Sequence, residues 1–402
     1  MAEGEIVNVR IERITAGGAG IARHEGKGIF VELTAPGDLA RCRITGEHKN
    51  WANGELLQVL EPSEQRAEPV CPLFGCCGGC SLQHLNYQAQ IEAKTAILGD
   101  AFIRIGGITP PVIRIRQSQP YEYRNRFRFH IATGRGGLGF KERKSSKITI
   151  IEDCPIADRE IRKALKEKTL VPPPGRQKDR NTFCVYSRKP AFLREGGTEK
   201  GKVSILGREL IMDVGLFFQS NADMLELLIP DLLSLARKAD KNLPIADIYC
   251  GVGTFASFLS DEFRELDLVE ENRASLALAR ENLGAGKNVH YYPVTDTEWI
   301  QTANVSGSKH CDSKYRHLKH WGPNTWGFMV LDPPREGLSK PFREWLAGNG
   351  PDLVAYVSCD PATLARDSAI LVKGGYTLKE LTMYDFYPQT AHIESLSFFS
   401  RK

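Results

Sequence analysis

From about residue 206 the chain repeats one pattern: a short apolar run closes on a glycine-rich or polar turn, and a helical run follows. "PIADIYCGVG" leads into "TFASFLS" and "ELDLVE" into "NRASLALARENL", while "GFMVLDPP" and "DLVAYVSCDPATLARD" each join an apolar strand to a polar turn. Strands that alternate with helices pair in parallel, with the helices covering both faces of the sheet. The pattern therefore predicts an α/β, Rossmann-like domain over residues 206–402, with its site at the carboxyl ends of the strands.

The first half reads differently. Residues 4 to 60 are short β segments broken by glycines, such as "EIVNVRIERIT", "KGIFVELT" and "GELLQVLEP", which predicts a small antiparallel barrel over residues 1–62. Its charges are nearly balanced. "EPSEQRAEP" reads as a linker, and "SLQHLNYQAQIEAKTAIL" as a helical run with Leu82, Leu85, Ala89 and Ala93 at helical intervals. A β-rich central domain is expected over residues 63–205. With 402 residues, 42% of them hydrophobic, the chain can bury more than one core. No basic start precedes an apolar stretch, and no apolar run is long enough to cross a bilayer, so a cytoplasmic protein without a membrane partner is expected.

The central domain carries two unusual stretches. "VCPLFGCCGGCSLQH", residues 70–84, holds four of the ten cysteines. In a reducing compartment such a cluster points to metal or catalysis rather than disulfides. Residues 101–150 carry eleven Lys or Arg against Glu122 and Glu142. In "YEYRNRFRFH" arginines alternate with aromatics, a pattern suited to phosphates and exposed bases, or to nothing more than a solvated strand face.

"YCGVGTF" does not complete a dinucleotide fingerprint, although Gly251 and Gly253 would let a ligand approach closely. The next strand ends on Glu270, placed to accept hydrogen bonds from ribose hydroxyls, and "HYYPVTD" ends on Asp296, where a carboxylate could meet an adenine. Two glycines, a ribose carboxylate and no phosphate-binding lysine fit S-adenosyl-L-methionine better than a nucleotide phosphate. A nicotinamide enzyme or a non-catalytic α/β domain is the alternative. In "LDPPREG", Arg335 stands where enzymes that methylate exocyclic amines usually place an aromatic. "SCDPATLARD" puts Cys359 at the edge of the same cleft, as a candidate nucleophile. Carbon 5 of a pyrimidine is a poor nucleophile until a thiolate adds to carbon 6, and a base must afterwards take the carbon-5 proton. "FYPQTAHIESL" offers Glu394 for that role, with His392 nearby; a glutamate there, taken alone, is more often a surface carboxylate.

In this order, "CPLFGCCGGC", "FFQSN", "DIYCGVGTF", "LVE", "LDPPR", "SCDPATLARD" and "HIE" resemble the RNA 5-methyluridine methyltransferases over nearly the whole chain. The N-terminal barrel looks like the OB-like TRAM module of the branch that modifies 23S ribosomal RNA. The resemblance implies a class I methyltransferase domain in which Gln219, Tyr249, Thr254, Glu270 and Asp332 line the cofactor pocket. It implies Cys359 as nucleophile and Glu394 as proton-abstracting base, acting on a uridine flipped from structured RNA. It also implies a 4Fe-4S cluster on Cys71, Cys77, Cys80 and Cys154, with zinc as the rival and a structural role for the cluster. Transfer RNA as substrate, cytosine-C5 methylation and a non-catalytic iron–sulfur RNA binder are the other readings; a monomer is expected.

Some residues depart from the family pattern. Thr254 stands where relatives often carry Asn. Asp360, often Asn in relatives, would raise the thiol's pKa unless Arg335 or Arg366 compensates. Cys76 is expected to be a bystander, and Cys42, Cys184 and Cys250 packing residues. Residues 302–326 look like an insertion whose His310, Cys311, His317 and His320 imitate a metal site but read better as a basic loop.

Overall fold

The computed structural model describes residues 2–132, 137–172, 182–285, 288–304 and 325–401, with only the backbone at 302–304. The proposed insertion therefore lies almost wholly outside the described residues. The chain divides into two compact units, residues 1–97 with 118–183 and 387–392, and residues 98–117 with 184–386 and 393–402.

The first unit begins with β1 (Ile6–Arg10), β2 (Arg13–Ile14), β3 (Gly20–His24), β4 (Lys27–Val31), β5 (Leu39–Glu47) and β6 (Trp51–Glu61). They form a six-stranded sheet in the order β1-β5-β6-β4-β3-β2. Its two edge strands, β1 and β2, are separated by only two residues of chain, so one continuous segment serves both ends of the sheet and curls it towards a barrel. Alternation buries Val7, Val9, Ile29, Val31, Cys42, Ile44 and Ala52 inside. The barrel is not purely antiparallel as expected: β4 and β6 run parallel. The whole of β5 intervenes between them, long enough for the chain to return in the same direction.

Helix α1 (Tyr87–Ala101) starts later than the apolar spacing suggested. Asn86 Oδ1 accepts the Ala89 N–H at 2.9 Å and caps it, so Leu82 and Leu85 are buried in the turns before it rather than on it. Strand β7 (Ile113–Arg116) belongs to the second unit. Strands β8 (Arg126–Ile131), β9 (Leu138–Lys141) and β10 (Ile148–Ile150), with α2 (Arg159–Lys166), complete the first. Residues 387–392 are tied into it through their backbone. The Lys94 Nζ donates to the Tyr387 carbonyl at 2.9 Å, and the Tyr123 hydroxyl to the Pro388 carbonyl at 2.8 Å. The Ser81 and Leu82 N–H groups both reach the Gln389 carbonyl, and the Gln389 N–H donates to Gln90 Oε1.

After β7, the second unit carries two antiparallel hairpins, β11 (Thr182–Arg188, whose first two residues belong to the first unit) with β12 (Ala191–Arg194), and β13 (Lys200–Ile205) with β14 (Arg208–Asp213). Then follow α3 (Ala222–Ala236), β15 (Ile245–Ile248), α4 (Thr254–Leu259), β16 (Glu265–Val269), α5 (Arg273–Leu283), β17 (Asn288–Tyr292), α6 (Asp296–Asn304), β18 (Phe328–Leu331), α7 (Lys340–Asn349), β19 (Leu353–Ser358), α8 (Pro361–Lys373), β20 (Tyr376–Tyr384) and β21 (Glu394–Arg401). The eight-stranded sheet has the order β17-β16-β15-β18-β19-β21-β20-β7. The chain moves outward from β15 to β16 and β17, then returns to β18 on the other side, so the sheet's reversal point lies between β15 and β18. A crevice outside the carboxyl ends of these two strands is where such sheets hold ligands. The sheet is mixed rather than all parallel, because β21 follows β20 without a crossover helix and returns antiparallel between β19 and β20.

Candidate active site

Register alone gathers the site. Ile248 pairs with both Val269 and Leu331, so Tyr249, Glu270 and Asp332 leave their strands at one level. Ser358 pairs with Ser395 across antiparallel strands, so the next residues outward, Cys359 and Glu394, face each other at the same end of the sheet.

On the cofactor side, Tyr249, Gly251 and Gly253 all have positive φ, which throws the chain into a tight turn before α4. Gly251 is needed for its backbone alone, since nothing lies within 4 Å of an added Cβ. At Gly253 a Cβ would also meet Ala279 Cβ at 3.0 Å. The turn is tied to its neighbours. Glu270 accepts the Gly251 N–H at 3.1 Å and the Asn272 N–H at 2.8 Å, one on each carboxylate oxygen. Asp296, expected to meet an adenine, has Oδ2 occupied by the Tyr249 hydroxyl at 2.6 Å and the Ser339 N–H at 3.2 Å, and Oδ1 by the Thr297 N–H. Its carboxylate fixes the wall of the crevice. Gln219 is buried just before Asn221, which caps α3 and donates to the Phe386 carbonyl at 3.1 Å. Thr254 is the first residue of α4 and is half-buried.

One carboxylate here carried no sequence signal beyond opening "DIYCGVG". Asp247, on β15, accepts the Ala256 N–H at 3.1 Å through Oδ2, while its buried Oδ1 has no partner. Burial, then the charges of Asp332 and Glu270, push its carboxyl up to about 8. Burial and Glu270 push Asp332 up to about 7, and burial pushes Glu270 up. Three carboxyls crowd one crevice. A ligand bearing positive charge relieves that crowding, and the sulfonium and ammonium of S-adenosyl-L-methionine match it, whereas a nucleotide phosphate aggravates it.

The thiol side is built around α8. Asp360 caps that helix, accepting the Ala362 and Thr363 N–H groups at 3.0 and 2.9 Å. It therefore faces the helix end, and the negative charges that act on the Cys359 thiol are those of Glu394 and Asp332. Burial, then these two carboxylates, push the thiol up to about 12, and Arg335 pulls the other way. Glu394 is 4% exposed and is held well above the usual carboxylate range by burial and Asp332, with Arg335 opposing. Of the two arginines expected to compensate, Arg335 does so. Arg366 is turned away, onto Asp367 and the Glu336 carbonyl. The thiol is half-buried, beside the late glutamate.

In the first unit, Cys71, Cys77, Cys80 and Cys154 are free thiols, so the cluster is no disulfide staple. The loop bearing three of them is held by backbone: Gly78 N–H reaches the Lys141 carbonyl, Arg143 N–H the Cys76 carbonyl, and Cys71 N–H Gln83 Oε1 at 3.1 Å. A Cβ at Gly78 would meet the Lys141 carbonyl oxygen at 2.9 Å. Burial pushes Cys80 up to about 11 and Cys154 up to about 12, and other thiols of the set add to both shifts. Burial, followed by Cys71 and Cys76, raises Cys77. The thiols thus share one neighbourhood, with Arg124 as the opposing cation. Among the described residues no three His, Cys, Asp or Glu side chains stand in a ready metal-binding arrangement. Cys76 is exposed, with its sulfur 3.4 Å from the Thr149 hydroxyl. Cys42, Cys184 and Cys250 are buried.

Strand β8 corrects one expectation. Phe127 and Phe129 are buried on its inner face and Arg126, Arg128 and His130 point the other way, so the aromatics serve the core rather than a stacking platform. A cavity of about 840 Å³ nearby is lined by charges of both signs: His130, Lys141, Arg143 and Lys144, the last two paired with Glu32, and Glu142.

Similarity to known proteins gives the family. Residues 199–402 match the tRNA (Uracil-5-)-methyltransferase family and residues 2–57 the TRAM domain. The chain is 32% identical to the 23S rRNA (uracil(1939)-C(5))-methyltransferase RlmD of Azoarcus sp. (strain BH72), covering 97% of this chain and 99% of that one. It is 31% identical to an uncharacterized RNA methyltransferase of Treponema denticola over 98% of each chain. The crystal structure of Pyrococcus abyssi tRNA (uracil-54, C5)-methyltransferase in complex with S-adenosyl-L-homocysteine shares the fold, with a TM-score of 0.70 at 21% identity over 98% of this chain and 100% of that one. A half-buried thiol and a buried glutamate facing each other across adjacent strand ends, beside a crevice of carboxyls, thus occur in a chain that belongs to the RNA (uracil-C5) methyltransferase family.

Proposed function

We propose that the protein methylates carbon 5 of a uridine in structured RNA, and that its substrate is 23S ribosomal RNA. The observation that carries this reading is the pairing of Cys359 with Glu394 at the ends of β19 and β21, within electrostatic reach of Asp332 and Arg335. The N-terminal barrel and the full-length similarity to RlmD proteins favour ribosomal over transfer RNA.

Bound S-adenosyl-L-methionine supplies an electrophilic methyl group. Glu270, Tyr249 and Asp296 shape its crevice, with Gln219, Thr254, Gly251 and Gly253 on the lining and Asp332 and Asp247 facing its positive charge. Cys359, as thiolate, adds through sulfur to carbon 6 of the flipped uracil, and the displaced electron pair leaves carbon 5 able to attack the methyl. Glu394 then takes the proton from carbon 5 as the carbon–sulfur bond breaks, restoring the double bond and releasing the thiolate. A carboxylate whose proton affinity is raised by burial is the stronger base for that step. Arg335, opposing both negative charges, stabilises the thiolate that must form and reform.

In the first unit, Cys71, Cys77, Cys80 and Cys154 fit a 4Fe-4S cluster: the donor set is thiol only, and the thiols raise one another's proton affinity, the strain that binding four thiolates to iron removes. The cluster would cross-link the Cys71–Cys80 loop to Cys154 as a structural element. The assignment divides the chain into a TRAM barrel (1–62), a central RNA-binding domain (63–205) and a methyltransferase domain (206–402), acting as a cytoplasmic monomer. Among the described residues, no helix is long and apolar enough to cross a membrane.

Incubation with labelled S-adenosyl-L-methionine and unmodified 23S ribosomal RNA or transfer RNA, followed by nucleoside digestion, tests the reading. Labelled 5-methyluridine from the ribosomal RNA is expected. Label in 5-methylcytidine supports a cytosine enzyme, label confined to transfer RNA moves the substrate, and no label at all leaves a non-catalytic binder.

A further inference from the structure

We propose that Asp367 is the positioning residue that fixes the turn bearing Arg335, and so sets which charge the Cys359 sulfur meets; this rests on the reading of Cys359 as the nucleophile. Asp367 lies on α8 and is fully buried. Its Oδ2 accepts the Leu338 N–H and the Tyr356 hydroxyl, each at 2.9 Å. Its Oδ1 accepts Arg343 Nη1 at 3.2 Å and Arg366 Nε at 2.8 Å. Arg366 in turn donates to the Glu336 carbonyl at 2.8 Å, and the Thr363 hydroxyl to the Arg335 carbonyl at 3.1 Å. One helix therefore holds the carbonyls of 335 and 336 and the N–H of 338.

The approach is close enough to require a glycine. Gly337 has φ +74°, and a Cβ there would lie 2.6 Å from Asp367 Oδ2 and 2.7 Å from Arg366 Nη2. Pro333 and Pro334 stiffen the turn from the other end. Beyond it, Ser339 caps α7 and is bound by Asp296 and Thr297, so the chain from 335 to 339 has no slack. Arg335 thereby projects from a clamped backbone. The charged groups facing the thiol are Glu394 from β21, Asp332 from the end of β18, and Arg335; those facing Asp367 are Arg343 from α7, Arg366 and the Tyr356 hydroxyl from β19. Replacing Asp367 by Asn keeps the shape but leaves two guanidinium groups without their shared counter-charge and loosens residues 336–338.

The test is the rate at which iodoacetamide alkylates Cys359, read by peptide mass spectrometry across a pH series, in the full chain and in the variants Arg335→Gln, Asp367→Asn and Thr363→Val. Thermal unfolding and S-adenosyl-L-homocysteine binding are measured alongside. Arg335→Gln is expected to lower the rate at a given pH about tenfold, one pKa unit, Asp367→Asn by most of that, and Thr363→Val about threefold. If Asp367→Asn and Thr363→Val lower the melting temperature yet their rate–pH curves superpose on the parent's, Asp367 is merely structural and the proposal is overturned. An unchanged curve for Arg335→Gln overturns it equally. Should Asp367→Asn fail to fold, Thr363→Val decides alone. The parent reading fails separately, if RNA carrying 5-fluorouridine forms no adduct at Cys359.

Discussion

The thiols of the first unit and the thiol of the second are raised by the same cause and surrounded by opposite company. Cys80 and Cys154 are pushed up by burial and then by other cysteines, with Arg124 opposing. Cys359 is pushed up by burial and then by Glu394 and Asp332, with Arg335 opposing. A sulfur among sulfurs suits the soft-metal role proposed for it above. A sulfur among carboxyls has neighbours that can take and return protons, which is what an addition–elimination cycle needs. The difference teaches that a raised thiol pKa says little about the chemistry until the neighbours causing it are named.

The comparison breaks most visibly at Cys359. Cys359→Ala is expected to abolish both methyl transfer and the covalent adduct with 5-fluorouridine RNA while leaving bound iron unchanged; an adduct that persists on denaturing gels removes the nucleophile. Glu394→Gln sharpens the proton argument: methylated adduct should accumulate, and turnover should fall by about 10²- to 10⁴-fold. Undiminished multiple turnover by this variant assigns the base elsewhere. On the other side, Cys80→Ala should lower iron from about four per chain while Cys359 is alkylated at the parental rate, since only a thiolate set holds the cluster. Parental iron content in that variant, or no iron in the parent purified without oxygen, sinks the cluster.

The smallest effect is electrostatic. Burial, then Asp332 and Glu270, push the Asp247 carboxyl up to about 8 against about 3.9 unfolded, so the stability it contributes is full below about pH 4 and is lost as pH rises towards 8. Asp247→Asn should flatten the fall in melting temperature of the ligand-free protein across that window by a few degrees. A parallel fall in both proteins places the titration elsewhere.

The second unit was legible because strand-then-turn is a local pattern: the turns after β15, β16, β18 and β19 each carried a residue the sequence marks, and register brought them together. Glu394 was legible only through the chemistry that demanded a base, since nothing near it in sequence says it will be buried. Asp360 misled because a helix cap and a charged neighbour look alike in one dimension. Asp247 and Asp367 sit at the ends of quoted motifs and Ser339 in none, yet nothing in the sequence gives them a role, because their partners lie far away in the chain. The arginine–phenylalanine alternation of β8 leaves base contact and a solvated face both open in sequence; period two puts its arginines and phenylalanines on opposite faces, and burial sends the phenylalanines to the core.

The backbone of residues 387–392 has a consequence for anyone dissecting this protein. A fragment starting at residue 199, where the family match begins, would look like a self-contained catalytic half. It would nonetheless carry the Tyr387 and Pro388 carbonyls and the Gln389 N–H stripped of Lys94, Tyr123 and Gln90, only a few residues ahead of Glu394. Truncation at that apparent boundary leaves the base on its strand but strips the loop leading into it of the partners that hold it.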